Sequence, residues 1–118
     1  MRILVVYDYP EAAQATCTLL ELLGHECRPA LSGEAALREL ATFMPDIVLL
    51  DLDLPGRTGY EVAREIRTAE PRVFLAAMSG TREDAARCAA AGFDAHLAKP
   101  ASAAKLADVV RAAVNRRE

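Results

Sequence analysis

The chain has 118 residues, enough for one domain built around one core. Apolar residues make up 53% and charged residues 26%, a balance that excludes disorder, and no apolar run is long enough to cross a bilayer. The net charge of −3 gives no electrostatic reason to expect direct nucleic-acid binding.

Ile3-Leu4-Val5-Val6 is a short apolar run that predicts a buried first strand, with Tyr7-Asp8-Tyr9-Pro10 as its exit loop. Met1-Arg2 leads straight into it without a signal-peptide pattern, so a cytoplasmic location is expected. From Glu11 to Leu23 the spacing is helical, with Ala12, Thr16, Leu19, Leu20 and Leu23 on one stripe and Gly24 ending it. His25 to Leu31 predicts a weaker strand, and Pro29 puts it at or near an edge. Ser32 can cap a second helix through about Thr42, carried by Ala36, Leu37 and Leu40.

Ile47-Val48-Leu49-Leu50 has four aliphatic residues in a row and ends in Asp51, the pattern of a central parallel strand buried on both faces. Leu54-Pro55-Gly56 then turns the chain. Thr58-Gly59-Tyr60-Glu61 opens a third helix to about Glu70, with Val62, Ala63 and Ile66 inward and Pro71 as its stop. Val73 to Met78 predicts the fourth strand and Ser79-Gly80-Thr81 its exit. Gly80 or Thr81 starts an alanine-rich fourth helix ending near Gly92. Ala95 to Ala98 is a short fifth strand leading to Lys99-Pro100. Ser102 caps a last helix with Leu106, Ala107, Val110, Ala113 and Val114 inward. The basic residues Arg111, Arg116 and Arg117 complement that helix's dipole.

Five βα units in succession, residues 1–118 forming a single domain, predict an α/β fold with a parallel sheet covered on both sides. The five-stranded doubly wound order is 2-1-3-4-5, the flavodoxin-like arrangement, with its switch point between strands one and three. Asp8 follows the first strand and Asp51 ends the third, so this topology brings both acids to one crevice. Cys17, Cys27 and Cys88 are odd in number and fit neither zinc nor CxxC spacing. They are expected to be small, reduced, buried residues in a reducing cytosol.

Two carboxylates converging at a strand edge repel each other unless a hard cation, a lysine or a proton intervenes. Magnesium suits such oxygen ligands and usually brings a phosphate. Lys99 at the end of strand five and Ser79 at the end of strand four add a cation and a hydroxyl. Nucleophile, metal site, cation and hydrogen-bond donor on adjacent strand ends are the parts of a phosphoryl site.

These residues carry a resemblance that covers the whole chain. Asp51-x-x-Leu54-Pro55-x-x-x-Gly59 resembles the phosphoacceptor stretch of response-regulator receiver domains, and Gly92-Phe93-Asp94-Ala95-His96-Leu97-Ala98-Lys99-Pro100 resembles their last strand and lysine-proline signature. The wording around Gly59 to Ala63 and Gly92 to Pro100 is similar to receivers of hybrid sensor kinases. The resemblance implies that Asp51 is phosphorylated by a histidine kinase or a histidine phosphotransfer protein. It implies Mg2+ held by the side chains of Asp8 and Asp51 and the main-chain carbonyl of Asp53. Lys99 would hold phosphoryl oxygens, with a cis bond to Pro100; Ser79 would be the switch hydroxyl and His96 the switch aromatic. The face of helix four, strand five and helix five would change on phosphorylation, for an output domain, a partner protein or a homodimer. Receivers are not turnover enzymes.

Two departures from the pattern matter. Tyr7 stands where the family carries a first acid, which predicts weaker magnesium binding. The stretch from Ser79 to Lys99 is about two residues short, so ungapped counting puts Ala77 at the hydroxyl position; Ser79 is preferred because it reads as the strand exit. Ordinary readings stand beside the sharp ones: Asp8 or Ser79 as a cap, Lys99 on the surface, His96 as a partly exposed strand residue. Two other functions stand as alternatives. One is a receiver-like interaction module independent of phosphate. The other, remote, is a magnesium-dependent phosphohydrolase, because Asp51-x-Asp53 superficially resembles the haloacid-dehalogenase signature. With no output domain after the last helix of this sequence, either a single-domain regulator or a fragment of something larger is expected.

Overall fold

In the computed structural model, which describes residues 1–80 and 84–117, strands and helices alternate throughout. The order is β1 (Arg2–Val6), α1 (Pro10–Leu22), β2 (Glu26–Ala30), α2 (Gly33–Phe43), β3 (Ile47–Asp51), α3 (Gly59–Ala69), β4 (Phe74–Ser79), α4 (Asp84–Ala90), β5 (Ala95–Ala98) and α5 (Ala103–Arg117). The five strands form one sheet in the order β2-β1-β3-β4-β5, with every neighbouring pair parallel, as the sequence predicts.

Because a strand's side chains alternate between faces, a central strand of unbroken aliphatics supplies two cores at once. On one face Leu4, Val48, Leu50 and Leu75 pack with Leu40, Phe43, Val62 and Ile66 from α2 and α3. On the other, Ile3, Val5, Ile47, Leu49 and Met78 pack with Cys17 and Leu20 of α1 and Leu106, Val109 and Ala113 of α5. All five residues of β3 are buried, Asp51 included. Each fully buried Leu or Ile is worth about 1.5–3 kcal/mol of transfer free energy.

The helix ends follow local chemistry. Ser32 Oγ accepts from the Ala35 amide, and Thr58 and Glu61 form a reciprocal capping box at α3. Ser102 Oγ accepts from the Lys105 amide. Gly24 (φ 93°) and Gly92 (φ 94°) take the left-handed conformation just beyond α1 and α4. Gly59 has a different reason to be glycine. A Cβ there would lie 2.6 Å from Leu52 Cα and 2.9 Å from the Asp51 carbonyl oxygen. The start of α3 therefore rests directly on the end of β3.

Several expectations shift. β2 is shorter than the predicted 25–31, and β4 begins one residue later than predicted and includes Ser79. The buried stripe of α1 is Ala13, Thr16, Cys17 and Leu20; Leu23 lies beyond the helix and is 42% exposed. On α5, Val109 is buried and Val114 is exposed. Thr81, a predicted start for the fourth helix, lies outside the described residues. The cysteine expectation is corrected: Cys17 and Cys27 form a disulfide with Cα atoms 5.4 Å apart, joining α1 to β2. Register explains it. Cys27 is level with Ile3, whose side chain faces α1, and helical phase brings Cys17 to the same face. Cys88 is buried and lies outside the disulfide.

Candidate functional site

The carboxyl edge of the sheet gathers the residues singled out by the sequence. Asp51 ends the central strand β3, which lies between β1 and β4. Its side chain is only 2% exposed. A carboxylate so enclosed is costly unless it is paired and hydrogen-bonded. Here Oδ1 accepts from Lys99 Nζ at 2.8 Å and from the Asp53 amide at 3.0 Å.

Lys99 follows directly on β5, and its amide donates to the Ser79 carbonyl at 2.8 Å. The Lys99–Pro100 peptide bond is cis. The ammonium reaches back to Asp51, and also donates to Asp53 Oδ2 at 3.2 Å. It lies 5.2 Å from the centroid of the Tyr7 ring. Partial burial works against its charge, but the Asp51 hydrogen bond and charge, with Asp53 behind them, outweigh it and hold Lys99 above the ordinary lysine value.

Tyr7 fills the position just past β1, half-buried, with its amide held by the Ala30 carbonyl. Asp8, the next residue, is exposed. The N-cap of α1 is Tyr9 and no side chain caps that helix, so Asp8 is not its cap. The register Val6↔Leu50 brings the chain after β1 alongside Asp51. Among the described residues no group of three or more His, Cys, Asp or Glu side chains forms a metal cage.

A second contact stands beside the first. Ser79 Oγ and His96 Nε2 are 2.7 Å apart. In the β4–β5 register Ala77 is level with His96, and Ser79, two residues on, shows the same face. Ala77 is enclosed within the strand, whereas Ser79 closes it at the edge that carries Asp51 and Lys99.

Sequence reasoning assigned Asp53 only a main-chain role, yet its carboxylate shares Lys99 with Asp51. It also missed a cluster around Asp94. Asp94 Oδ2 accepts from the Leu75 amide (2.9 Å) and Arg67 (3.0 Å), and pairs with Arg116 (2.9 Å). That cluster ties the starts of β4 and β5 to α3 and α5. Arg67 also reaches the carbonyls of Pro71, Val73 and Gly92. The only sequence signal was Asp94 within the stretch before Lys99; nothing local pairs it with two distant arginines.

The sequence profile of the response regulator receiver domain matches residues 3–111. The virulence sensor protein BvgS of Bordetella pertussis is 38% identical over 109 residues, covering 85% of this chain but 9% of that protein. The DNA-binding response regulator MtrA of Mycolicibacterium smegmatis is 36% identical over 119 residues, covering 99% of this chain and 52% of that protein. The chain thus spans a small part to about half of these relatives. The crystal structure of a response regulator receiver domain protein from Clostridium thermocellum superposes with a TM-score of 0.91 at 28% identity, covering 98% of this chain and 95% of the other. A sheet ordered 2-1-3-4-5, an acid closing its central strand and a profile match across nearly the whole length agree: the chain belongs to the response regulator receiver domain family and is a receiver domain of two-component signal transduction.

Proposed function

We propose that Asp51 is the phosphoacceptor of this domain, working in the cytoplasm with a histidine kinase or a histidine phosphotransfer protein as donor. The observation that carries the reading is the Lys99 ammonium 2.8 Å from a nearly enclosed Asp51 carboxylate at the end of the central strand. A carboxylate oxygen of Asp51 attacks the phosphorus of a phosphohistidine. The P–N bond breaks and its electron pair returns to the ring nitrogen. The donor leaves as neutral imidazole when its other ring nitrogen carries a proton. Lys99 then exchanges part of its contact with Asp51 and Asp53 for the phosphoryl oxygens, without having to move far.

Magnesium fits the donors available. The side chains of Asp8 and Asp51 and the carbonyl of Asp53 are all oxygen ligands, and this ion takes one or two carboxylates and keeps several waters rather than needing a protein cage. When bound, it neutralises charge on the transferring phosphoryl group. Ser79 supplies a hydroxyl to that group, and the surface of α4, β5 and α5 carries the change to an output domain, a partner protein or a second copy. The domain acts once per phosphoryl group and is not a turnover enzyme. No helix of the described residues is long and apolar enough to cross a membrane.

Incubation with acetyl phosphate and magnesium, read by intact mass, tests this. The wild type should gain one phosphoryl group and Asp51→Asn none. A wild type that gains no mass, and whose amide resonances ignore beryllofluoride, sinks the reading. Tyr7 against Lys99, in place of an acid, favours one other account: an interaction module indifferent to phosphate. Equal partner binding by wild type and Asp51→Asn, with and without phosphodonor, would select it.

A further inference from the structure

The Ser79–His96 contact has a consequence that depends on proton count. A serine hydroxyl has one proton to give. When the neutral His96 ring presents Nε2 as an acceptor across 2.7 Å, that proton is given to the imidazole. An imidazolium has only donors. It gives its own proton to Ser79 Oγ and leaves the hydroxyl proton for an acceptor on the other side. From this geometry we infer that His96 is a positioning residue for the phosphorylated state. Its protonation turns Ser79 from a donor to His96 into a donor to the phosphoryl group on Asp51. This rests on the phosphoacceptor reading above and adds to it a pH dependence that a ring without a titrating nitrogen could not give.

His96 is half-buried on β5 and open to water along a groove that Lys105 and Asp108 of α5 share. On the α4 side the described titratable neighbour is the buried Cys88. Just before its strand, Asp94 is engaged by Arg67 and Arg116. Lys99 is engaged by Asp51 and Asp53, and from β4 Ser79 Oγ meets the ring. Lys105 donates to the Ala98 carbonyl, and Asp108 is paired with Arg111. Histidine gains its proton near pH 6.5, within the range a cell or compartment can visit.

The linkage is reciprocal: if protonation favours the phosphoryl-bound arrangement, a phosphoryl analogue favours protonation. The experiment measures the affinity of the intact chain for beryllofluoride with magnesium across pH, by amide resonances. The wild type should bind roughly fivefold more tightly at about pH 6 than at about pH 8, the low end of two-site couplings. His96→Phe and Ser79→Ala should each flatten that dependence, and Ser79→Thr should keep it. A dependence that survives in Ser79→Ala would mean simple attraction between two charges and would overturn the hydroxyl route. So would a wild-type affinity that does not change with pH. Failure of the wild type to bind beryllofluoride at any pH would instead strike the phosphoacceptor reading itself.

Discussion

Lys99 Nζ sits 2.8 Å from Asp51 Oδ1, and this contact lets a carboxylate with 2% of its side chain exposed remain at the end of the central strand. Removing the ammonium leaves an enclosed charge with, among the described residues, the Asp53 amide as its remaining donor. Lys99→Ala should therefore lower the unfolding free energy by about 1–3 kcal/mol at neutral pH, measured in urea. Asp51→Asn added to it should recover part of the loss, because no buried charge then remains. Losses that simply add would show that the two residues do not act as a pair. The folded protein holds the Lys99 proton more tightly than the unfolded chain. The contribution is complete below the unfolded value of about 10.4 and fades only as pH rises through the higher folded one.

Tyr7 packs its ring near that same ammonium and offers no carboxylate to a cation. Tyr7→Asp should tighten magnesium binding roughly tenfold, the equivalent of one added charge-assisted contact. Titration of amide resonances near Asp51 reads it directly. No gain would mean that the phenol is not what limits the site.

How far the sequence could be read follows from range. The aliphatic run before Asp51, the proline of the edge strand and the caps at Ser32 and Ser102 are local signals, and the elements stand where those signals put them. The stripe of α1 is ambiguous in the sequence because Ala12 and Ala13 are chemically alike; packing against the sheet buries Ala13. The Cys17–Cys27 bond depends on strand register and helix phase together, neither of which spacing reveals. The Arg67–Asp94–Arg116 cluster joins the ends of four elements through long side chains. The family pattern speaks only for the carbonyl of Asp53; its carboxylate comes to Lys99 through a turn whose shape the sequence does not spell out.

The disulfide makes a simple chemical prediction. In protein purified in air, alkylation after unfolding should label Cys88 alone without reductant, and all three cysteines after reduction. Cleaving a crosslink with so short a loop should cost roughly 2–3 kcal/mol of stability. Labelling of Cys17 or Cys27 without reductant contradicts the pairing.

Asp94 predicts an acid dependence. Burial opposes its charge, but the Leu75 amide, Arg67 and Arg116 outweigh it and hold the carboxyl below the usual carboxylate range. Its folded value is thus lower than its unfolded one. The contribution to stability is full above about pH 3.9 and is lost as pH falls through the folded value. Asp94→Asn cannot accept these bonds in the same way and should lose about 1.5–3 kcal/mol at neutral pH. The gap between wild type and variant should persist down to about pH 4 and close below it. A gap that closes already near neutrality would assign the effect to another group.

Gly59 connects the scaffold to the chemistry. A methyl group there meets backbone, Leu52 Cα at 2.6 Å and the Asp51 carbonyl oxygen at 2.9 Å, so no side-chain rotation can relieve it. Either α3 moves off the sheet or the end of β3 moves with Asp51. Alanine gains up to about 1 kcal/mol of helix propensity, and less at a first helical position. Overpacking against backbone costs about 1–3 kcal/mol and wins. Gly59→Ala should therefore be destabilised and should also form the Asp51 phosphoryl adduct more slowly. Gly80→Ala is the control for stability, since a Cβ there meets nothing within 4 Å. If both variants unfold at the same denaturant concentration, the close approach of α3 to β3 is not what fixes glycine at this distance from the acid.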